Sequence, residues 1–365
     1  MAMQVDVLVV GAGPAGSSAA RAVARAGLHA LIVEQRATVG LPVQCAEYVP
    51  ARIVDHAPLT ERSIARRIRT LSTHLPDGEI VTTPAAGYVL HRALFDQALA
   101  IAALKEGAGL WTGTRAVERT ERGVLVRRGR QTVEVTCAAI IGADGPRSTV
   151  GRWIGHQNET LLDALQVEAL VHIPGEASTH IYFDPVYRGG YGWLFPKGET
   201  ANVGVGVNRA LGGDPRAALD HLLEQLEIRT DAIVSRSAGL VPAGGTLDAL
   251  RVGPVLLAGD AAGHTHPITG AGILTAVVSG ELAGQAAARA IESGDPAALN
   301  DYTKEWASFM QPPLRHALQK RRFLDQKWSD DPVALSGLIR QTWIAFKEYG
   351  RRRTANERMS KSAER

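Results

Sequence analysis

The sequence predicts an α/β fold: a Rossmann-like dinucleotide-binding domain with an inserted antiparallel β-rich domain and C-terminal helices. Three observations carry this prediction. The β-branched run Val5 to Val10 leads straight into Gly11-x-Gly13-x-x-Gly16 and a helix-forming stretch. Two further apolar runs, Ala138 to Ile141 and Val255 to Ala258, each end in a Gly/Asp turn. Residues 165–240, between those turns, alternate in the manner of strands. Nucleotide-type motifs at both ends with a β-rich segment between them argue for an insertion rather than tandem domains. The expected division is 1–70, 88–160 and 245–295 for the nucleotide-binding domain, 71–87 and 161–244 for the β-rich cap, and 296–365 for the helical region.

Taken in order, Ser17 to Ala26 has helix composition and Gly27 closes it; Ala30 to Val33 is a second apolar run ending in Glu34. Strand, glycine turn, helix and strand in this compass make one βαβ unit. Ala51 to Arg69 reads as helical or irregular, and Thr70 to Val89 as short strands turning at Pro76-Asp77-Gly78. Arg92 to Glu106 is a helix, and residues 115–137 alternate as a hairpin. A helix is expected near Pro215 to Leu226. A long Gly/Ala-rich helix follows the turn after Ala258, and the chain from Pro296 onward reads as helical, its last fifteen residues fraying.

Composition limits the function classes. The 365 residues are 45% apolar and 21% charged, a globular balance that excludes disorder as the main state. A net charge of +3 is too near neutral to argue for nucleic acid. Cys45 and Cys137 are too few for a disulfide framework, which favours a reducing, cytoplasmic setting. No run reads as a membrane span, since the apolar stretch from Ile273 is broken by Glu281. The first ten residues lack a basic n-region and read as a strand. A peripheral membrane contact stays open. The basic segments Lys320–Arg322 and Lys347–Arg353 read as solvated helix ends, although each charge near an anionic surface could add about 1 kcal/mol.

The chemistry starts at the first turn. Gly11 permits the tight turn, Gly13 clears space for a pyrophosphate, and Gly16 lets helix and strand pack closely. Pro14 and Ala15, within this turn, are counted with the cofactor-binding residues, and the N-terminus of the helix that follows offers free N–H groups to phosphates. Glu34, with Gln35 after it, stands eighteen residues beyond Gly16, where a carboxylate can accept from ribose hydroxyls. That spacing fits FAD and NAD equally. The later segments separate them: Gly142-Ala-Asp144-Gly145 and Gly259-Asp260 through Pro267, Gly270-Ala271-Gly272 and Ile273 each put an Asp at the end of a strand. Asp260 can hold a ribityl hydroxyl, and the helix beginning at Ile273 can face a flavin ring with its positive end.

The order GxGxxG, GADGxxS, GDAAGxxxPxTGxGI resembles the FAD-binding fold of the para-hydroxybenzoate hydroxylase type. Arg92, in Leu90-His91-Arg92-x-x-Phe95-Asp96, matches the basic position this group uses near the FAD phosphates or ribityl chain. Two more segments are similar to the geranylgeranyl reductase family: Pro42-Val-Gln-Cys45-Ala46-Glu47, and Tyr191-Gly-Trp193-Leu-Phe195-Pro-Lys197 followed by Val203-Gly-Val-Gly206. The resemblance covers about four fifths of the chain and implies an FAD-dependent oxidoreductase. Ala46 and Ala271 stand where glycines are often seen in that family. His264-Thr-His266 is also not its usual filling.

Tyr191, Trp193 and Phe195 share one strand face, with Phe183, Tyr182 and Tyr187 just before. Such a face suits an apolar pocket over a planar ring, or an ordinary core. His264 and His266 are assigned to that pocket, making polar contacts on the flavin side, or to loop packing, with no metal expected. Cys45 and Glu47 are catalytic candidates beside Tyr191 and Trp193. Cys45 is otherwise a small buried hydrophobe, Glu47 orders its turn or supplies a proton through water, and Lys197 is read as solvated.

Three functions fit. The first is hydride transfer from flavin N5 to an isolated C=C of a prenyl chain. The second is hydroxylation, through a flavin C4a-hydroperoxide, of a small aromatic or of a Trp or Tyr side chain on a partner protein. The third is electron carriage alone. Without a second GxGxxG, the donor is transient NAD(P)H or a ferredoxin.

Overall fold

The computed structural model describes residues 2–171 and 177–350. The chain opens with β1 (Ala2–Gln4), β2 (Val7–Val10), α1 (Pro14–Arg25) and β3 (Ala30–Val33). A short β4 (Tyr48–Pro50) precedes two long strands, β5 (Ile64–His74) and β6 (Ile80–Leu90), then α2 (Arg92–Lys105) and β7 (Gly109–Trp111). The meander β8 (Thr114–Arg119), β9 (Gly123–Arg128) and β10 (Gln131–Thr136) leads to β11 (Ala139–Gly142) and α3 (Thr149–Trp153). Next come β12 (Leu161–Leu170), β13 (Ser178–Tyr182), β14 (Tyr191–Lys197), β15 (Thr200–Val207), α4 (Pro215–Gln225) and β16 (Ile233–Pro242). The chain then forms β17 (Arg251–Val252), β18 (Val255–Leu257), α5 (Ile273–Ser293), α6 (Asn300–Phe309), α7 (Gln311–Lys327) and α8 (Pro332–Thr342).

One six-stranded sheet runs β17-β18-β11-β2-β3-β7, parallel except for β17. Every residue of β2, β3, β11 and β18 is buried, which is why these strands read as unbroken apolar runs. Helices α1 and α5 pack on each other through small residues. A Cβ on Gly280 would lie 2.0 Å from the Ala15 carbonyl oxygen, and one on Gly284 would lie 2.3 Å from that of Ala19. The Gly/Ala richness of α5 is therefore a packing requirement. Among the described residues, no helix is long and apolar enough to cross a membrane.

The eight-stranded sheet has the order β16-β12-β15-β14-β13-β5-β6-β4. It corrects the reading of residues 51–69: Ile64–Arg69 is the first half of β5, paired antiparallel with β6. The arginines of that stretch suggested a helix or loop, but long-range pairing decides the local state. The expected boundary between 70 and 71 consequently falls inside one continuous strand. Residues 115–137 form three strands rather than a single hairpin, β9 turning back into β10. The expected fraying of the last fifteen residues, with the basic Arg351–Arg353, lies outside the described residues.

Candidate active site

The first glycine turn has the shape the phosphate reading requires. A Cβ on Gly11 would come within 2.4 Å of the Ala143 carbonyl oxygen, and one on Gly16 within 1.8 Å of that of Gly11. Gly13 differs, because a Cβ there would meet nothing within 4 Å. Gly13 is the N-cap of α1 and no side chain caps the helix, so its mouth opens on free space beside the first-turn N–H groups. Pro14 starts the helix and Ala15 is buried beneath it. Glu34 accepts from Ala12 N–H (2.9 Å) and Arg36 N–H (2.8 Å), which fixes its carboxylate beside the turn. Gln35 beside it is exposed.

Asp144 is committed locally. Its oxygens accept from Ser148 Oγ (2.5 Å), Thr149 N–H (2.7 Å) and Val150 N–H (3.2 Å), so it caps α3 and shapes the turn at Gly145. Asp260 accepts from Thr265 Oγ (2.9 Å). Burial pushes both carboxyls above the ordinary range; at Asp260, Thr265 and the charge of Arg92 oppose that rise. Gly259 packs against Ala15. Gly272 begins α5 without a side-chain cap, and Gly270, Ala271 and Gly272 are wholly or partly exposed ahead of buried Ile273. Buried Pro267 lies in the same loop. Open space before Gly13, a fixed Glu34, a half-buried Asp260 and two uncapped helix mouths fit FAD.

Arg92 joins this cradle to the Cys45 segment. Its guanidinium forks onto Asp96 (2.9 and 2.9 Å) and hydrogen-bonds Cys45. Burial alone would lower the Arg92 pKa; Asp96 and Cys45 more than offset it. Burial pushes the Cys45 thiol up, opposed by Arg92, so it holds its proton at neutral pH. Glu47 is 1% exposed with φ +74°, and its N–H donates to Cys45 Sγ (3.2 Å).

The Glu47 side chain is fully engaged. It accepts from Arg92 N–H (2.8 Å) and Asn202 Nδ2 (2.6 Å) and pairs with Lys197 Nζ (2.7 Å). Lys197 also pairs with Glu168 at 3.3 Å and is 10% exposed, so it is not solvated as its turn position suggested. Gln166 completes the tie, donating to the Cys45 carbonyl (3.1 Å) while accepting from Trp193 Nε1 (3.0 Å). The Cys-x-Glu and Tyr-x-Trp-x-Phe-Pro-Lys segments are thus halves of one buried polar network. Gln166, Glu168 and Asn202 were not singled out from the sequence. Asn202, a lone amide in the apolar run Ala201 to Val207, was the available signal.

The strand period holds for the aromatic face. Tyr191, Trp193 and Phe195 pack with Phe183, Ile268 and Trp343, whereas Leu194 points to α4. Tyr191 lies close enough to Cys45 for its hydroxyl pKa to be raised, by burial first and then by that group. Its hydroxyl donates to the Thr269 carbonyl (2.5 Å), so the aromatic face touches the turn leading into α5. Tyr182 and Tyr187, just before this strand in sequence, belong to the cluster on the opposite face with Leu219 and Leu222 of α4, whereas Phe183 joins the aromatic face.

The two histidines part company. His264 is fully buried, stacked 3.5 Å from the Trp306 ring, and is not brought to the aromatic face. His266 orders the turn, its Nδ1 accepting from Ile268 N–H (3.3 Å) and Thr269 N–H (3.2 Å).

Comparison with known proteins agrees with this arrangement. The FAD binding domain model matches residues 4–184, and that of the geranylgeranyl reductase catalytic domain matches residues 164–241. The chain is 36% identical to digeranylgeranylglycerophospholipid reductase 2 of Methanopyrus kandleri, over 92% of this chain and 90% of that protein. A geranylgeranyl bacteriochlorophyll reductase-like protein from Thermoplasma acidophilum superposes with a TM-score of 0.80 at 29% identity, covering 94% and 97% of the two chains. The FAD-dependent monooxygenase PqsL from Pseudomonas aeruginosa shares the fold alone, with a TM-score of 0.67 and 21% identity over 92% and 99% of the chains. The chain belongs to the geranylgeranyl reductase family of FAD-dependent oxidoreductases.

Proposed function

We propose that this enzyme reduces isolated C=C bonds in the isoprenoid chains of a lipid, adding hydride and proton across each bond. The supporting observation is that Cys45, Arg92, Tyr191 and the Thr269–Gly272 turn meet at one place beside the FAD cradle. FAD, when bound, supplies the hydride from N5 of its reduced ring. Gly13 would make room for its pyrophosphate, Glu34 would accept from its ribose, and Asp260 would accept from its ribityl chain.

Cys45 keeps its proton because the thiol is buried, and so Sγ–H is the proton donor to the second alkene carbon. Arg92 stabilises the thiolate left behind. Glu47 is a positioning residue: Lys197, Asn202 and Arg92 N–H occupy its carboxylate, and it fixes Cys45 through its own N–H. An unactivated alkene has no polar handle, so Tyr191, Trp193 and Phe195 recognise it by apolar contact and keep water out. Electrons return through NAD(P)H or a ferredoxin.

The test is a single turnover. The holoenzyme is reduced anaerobically and mixed with digeranylgeranylglycerophospholipid, and flavin absorbance and lipid mass are followed. Reoxidation with two hydrogens gained per double bond is expected. An inert lipid together with oxygen-dependent hydroxylation of an aromatic substrate would replace this reading with a monooxygenase. Electron delivery only to a quinone or protein acceptor would replace it with a carrier.

A further inference from the structure

The Val203-Gly204-Val205-Gly206 run of β15 lies between two side chains that it allows to meet. In register, Gly204 pairs with Trp193 of β14 on one side and with Gln166 of β12 on the other. Trp193 and Gln166 are therefore roughly 10 Å apart across two strand spacings, on one face of the sheet. The indole spans that gap by lying over Gly204, where a Cβ would come within 2.5 Å of its Cζ2 atom. Trp193 Nε1 thereby donates to Gln166 Oε1 (3.0 Å), and Gln166 Nε2 donates to the Cys45 carbonyl (3.1 Å). Two residues before Gly204 on the same face, Asn202 Nδ2 donates to the next carbonyl, that of Ala46 (3.2 Å). Gln166 and Asn202 are both buried.

An indole N–H only donates and a peptide carbonyl only accepts, so a side chain that joins them must accept at one end and donate at the other. A carboxamide does this in one orientation, which its two partners fix. A buried glutamine can simply satisfy a neighbouring polar group, and for Trp193 alone any acceptor would serve. That explanation accounts neither for the second bond, to a carbonyl 121 residues away, nor for the bare Gly204 that the bridge requires. We infer that Gln166 is a positioning residue for the proton donor: its amide fixes the Cys45 backbone against Trp193 and so sets the distance between the thiol and a chain lying on the aromatic wall. Gly204 serves the same end by leaving room for the indole. Cys45 as the donor to an isoprenoid alkene rests on the reductase reading; the hold of Gln166 on Cys45 does not.

The experiment compares Gln166→Leu, Gln166→Glu and Gly204→Ala holoenzymes with the wild type, each checked for fold and flavin content by melting and absorbance. In anaerobic single turnovers with digeranylgeranylglycerophospholipid, Gln166→Leu and Gly204→Ala should lower the limiting rate of flavin reoxidation about 10- to 100-fold, the scale of a displaced reacting group. The half-saturating lipid concentration should stay unchanged. Gln166→Glu supplies a readout that a merely structural role would not move. Ionised, its carboxylate cannot donate to the Cys45 carbonyl; protonated, it donates and accepts as the amide does. Its rate relative to the wild type at the same pH should therefore climb as pH falls from about 8 to about 5.5, a range in which a buried carboxyl titrates. Cys45, Glu47, Arg92, Glu168, Tyr191 and Lys197 are common to both proteins, and the ratio removes their own titration. The comparison is made within one polypeptide, so it stands even where Gln166→Leu fails to load flavin. Without any turnover, alkylation of Cys45 by iodoacetamide in the oxidised holoenzyme should quicken several-fold in Gln166→Leu, with Cys137 as the internal reference. A flat pH ratio for Gln166→Glu, or Cys45 alkylation unchanged in Gln166→Leu, overturns the positioning role. Wild-type enzyme that leaves the lipid unreduced, while Cys45 alkylation still responds to Gln166→Leu, would overturn the reductase reading alone.

Discussion

Lys197 is the residue whose environment departs furthest from its sequence context. Followed by Gly198 at a turn, it reads as solvated, yet Glu47 and Glu168 draw it into the interior and hold its pKa up against burial. Removing one partner of a buried pair leaves the other uncompensated, so Lys197→Met should cost about 3–5 kcal/mol. Urea unfolding measures this, and the double variant Lys197→Met/Glu47→Leu should recover part of the loss. A single-variant loss below about 1 kcal/mol would mean the pair is solvated after all.

His264 carries a second prediction at this scale. Both its ring nitrogens are buried without a partner among the described residues, and burial holds its pKa well below the ordinary value. His266 is pushed down to about 4 by burial in the same way. Below pH 6.5 the unfolded chain binds protons that the folded chain refuses, so stability falls as pH drops from about 6.5 toward about 4. His264→Phe keeps a ring on Trp306 and removes the titration. Its acid-side loss should be smaller than that of the wild type in thermal melts across this range, and an unchanged pH profile would count against the buried, unpaired state.

At the scale of elements, the contact of α1 with α5 is built on absent side chains. Gly280→Val would drive a methyl-bearing carbon into the Ala15 carbonyl, forcing apart the two helices that begin at the Gly13 and Gly272 turns proposed to hold FAD. Overpacking of this kind costs about 1–3 kcal/mol or more. The variant should melt lower and bind FAD more weakly, and a wild-type melting temperature would show that the interface can yield.

The same elements show what the chain made readable. β2, α1 and β3 were legible because a buried parallel strand, an uncapped glycine turn and a helix each leave a local mark. The start of β5 was not, because Arg66 and Arg67 are strand residues only by virtue of pairing with β6, some twenty residues away. Phe183, Tyr182 and Tyr187 stand together in sequence, but only the packing separates them, Phe183 to the aromatic face and the two tyrosines to the opposite one. The Lys320–Arg322 segment, read as a solvated helix end, instead holds a buried Arg321, because α7 packs onto a sheet far away in sequence.

For the whole molecule, the central claim is convergence. The turn at Gly13, Arg92, the Cys45–Glu47 segment and the aromatic face of β14 come from well-separated stretches, and hydrogen bonds or charges link the last three into one site. Gly13→Val should fill the phosphate space and yield folded protein that lacks flavin; full flavin content would refute that assignment. The most direct measurement of convergence is the flavin absorbance spectrum of the purified holoenzyme titrated with a saturated isoprenoid lipid. A stoichiometric FAD spectrum that shifts on lipid addition, with the shift weakened in Trp193→Ala, is the predicted result. A chain that stays colourless after reconstitution with FAD, or a spectrum indifferent to the lipid, would contradict it.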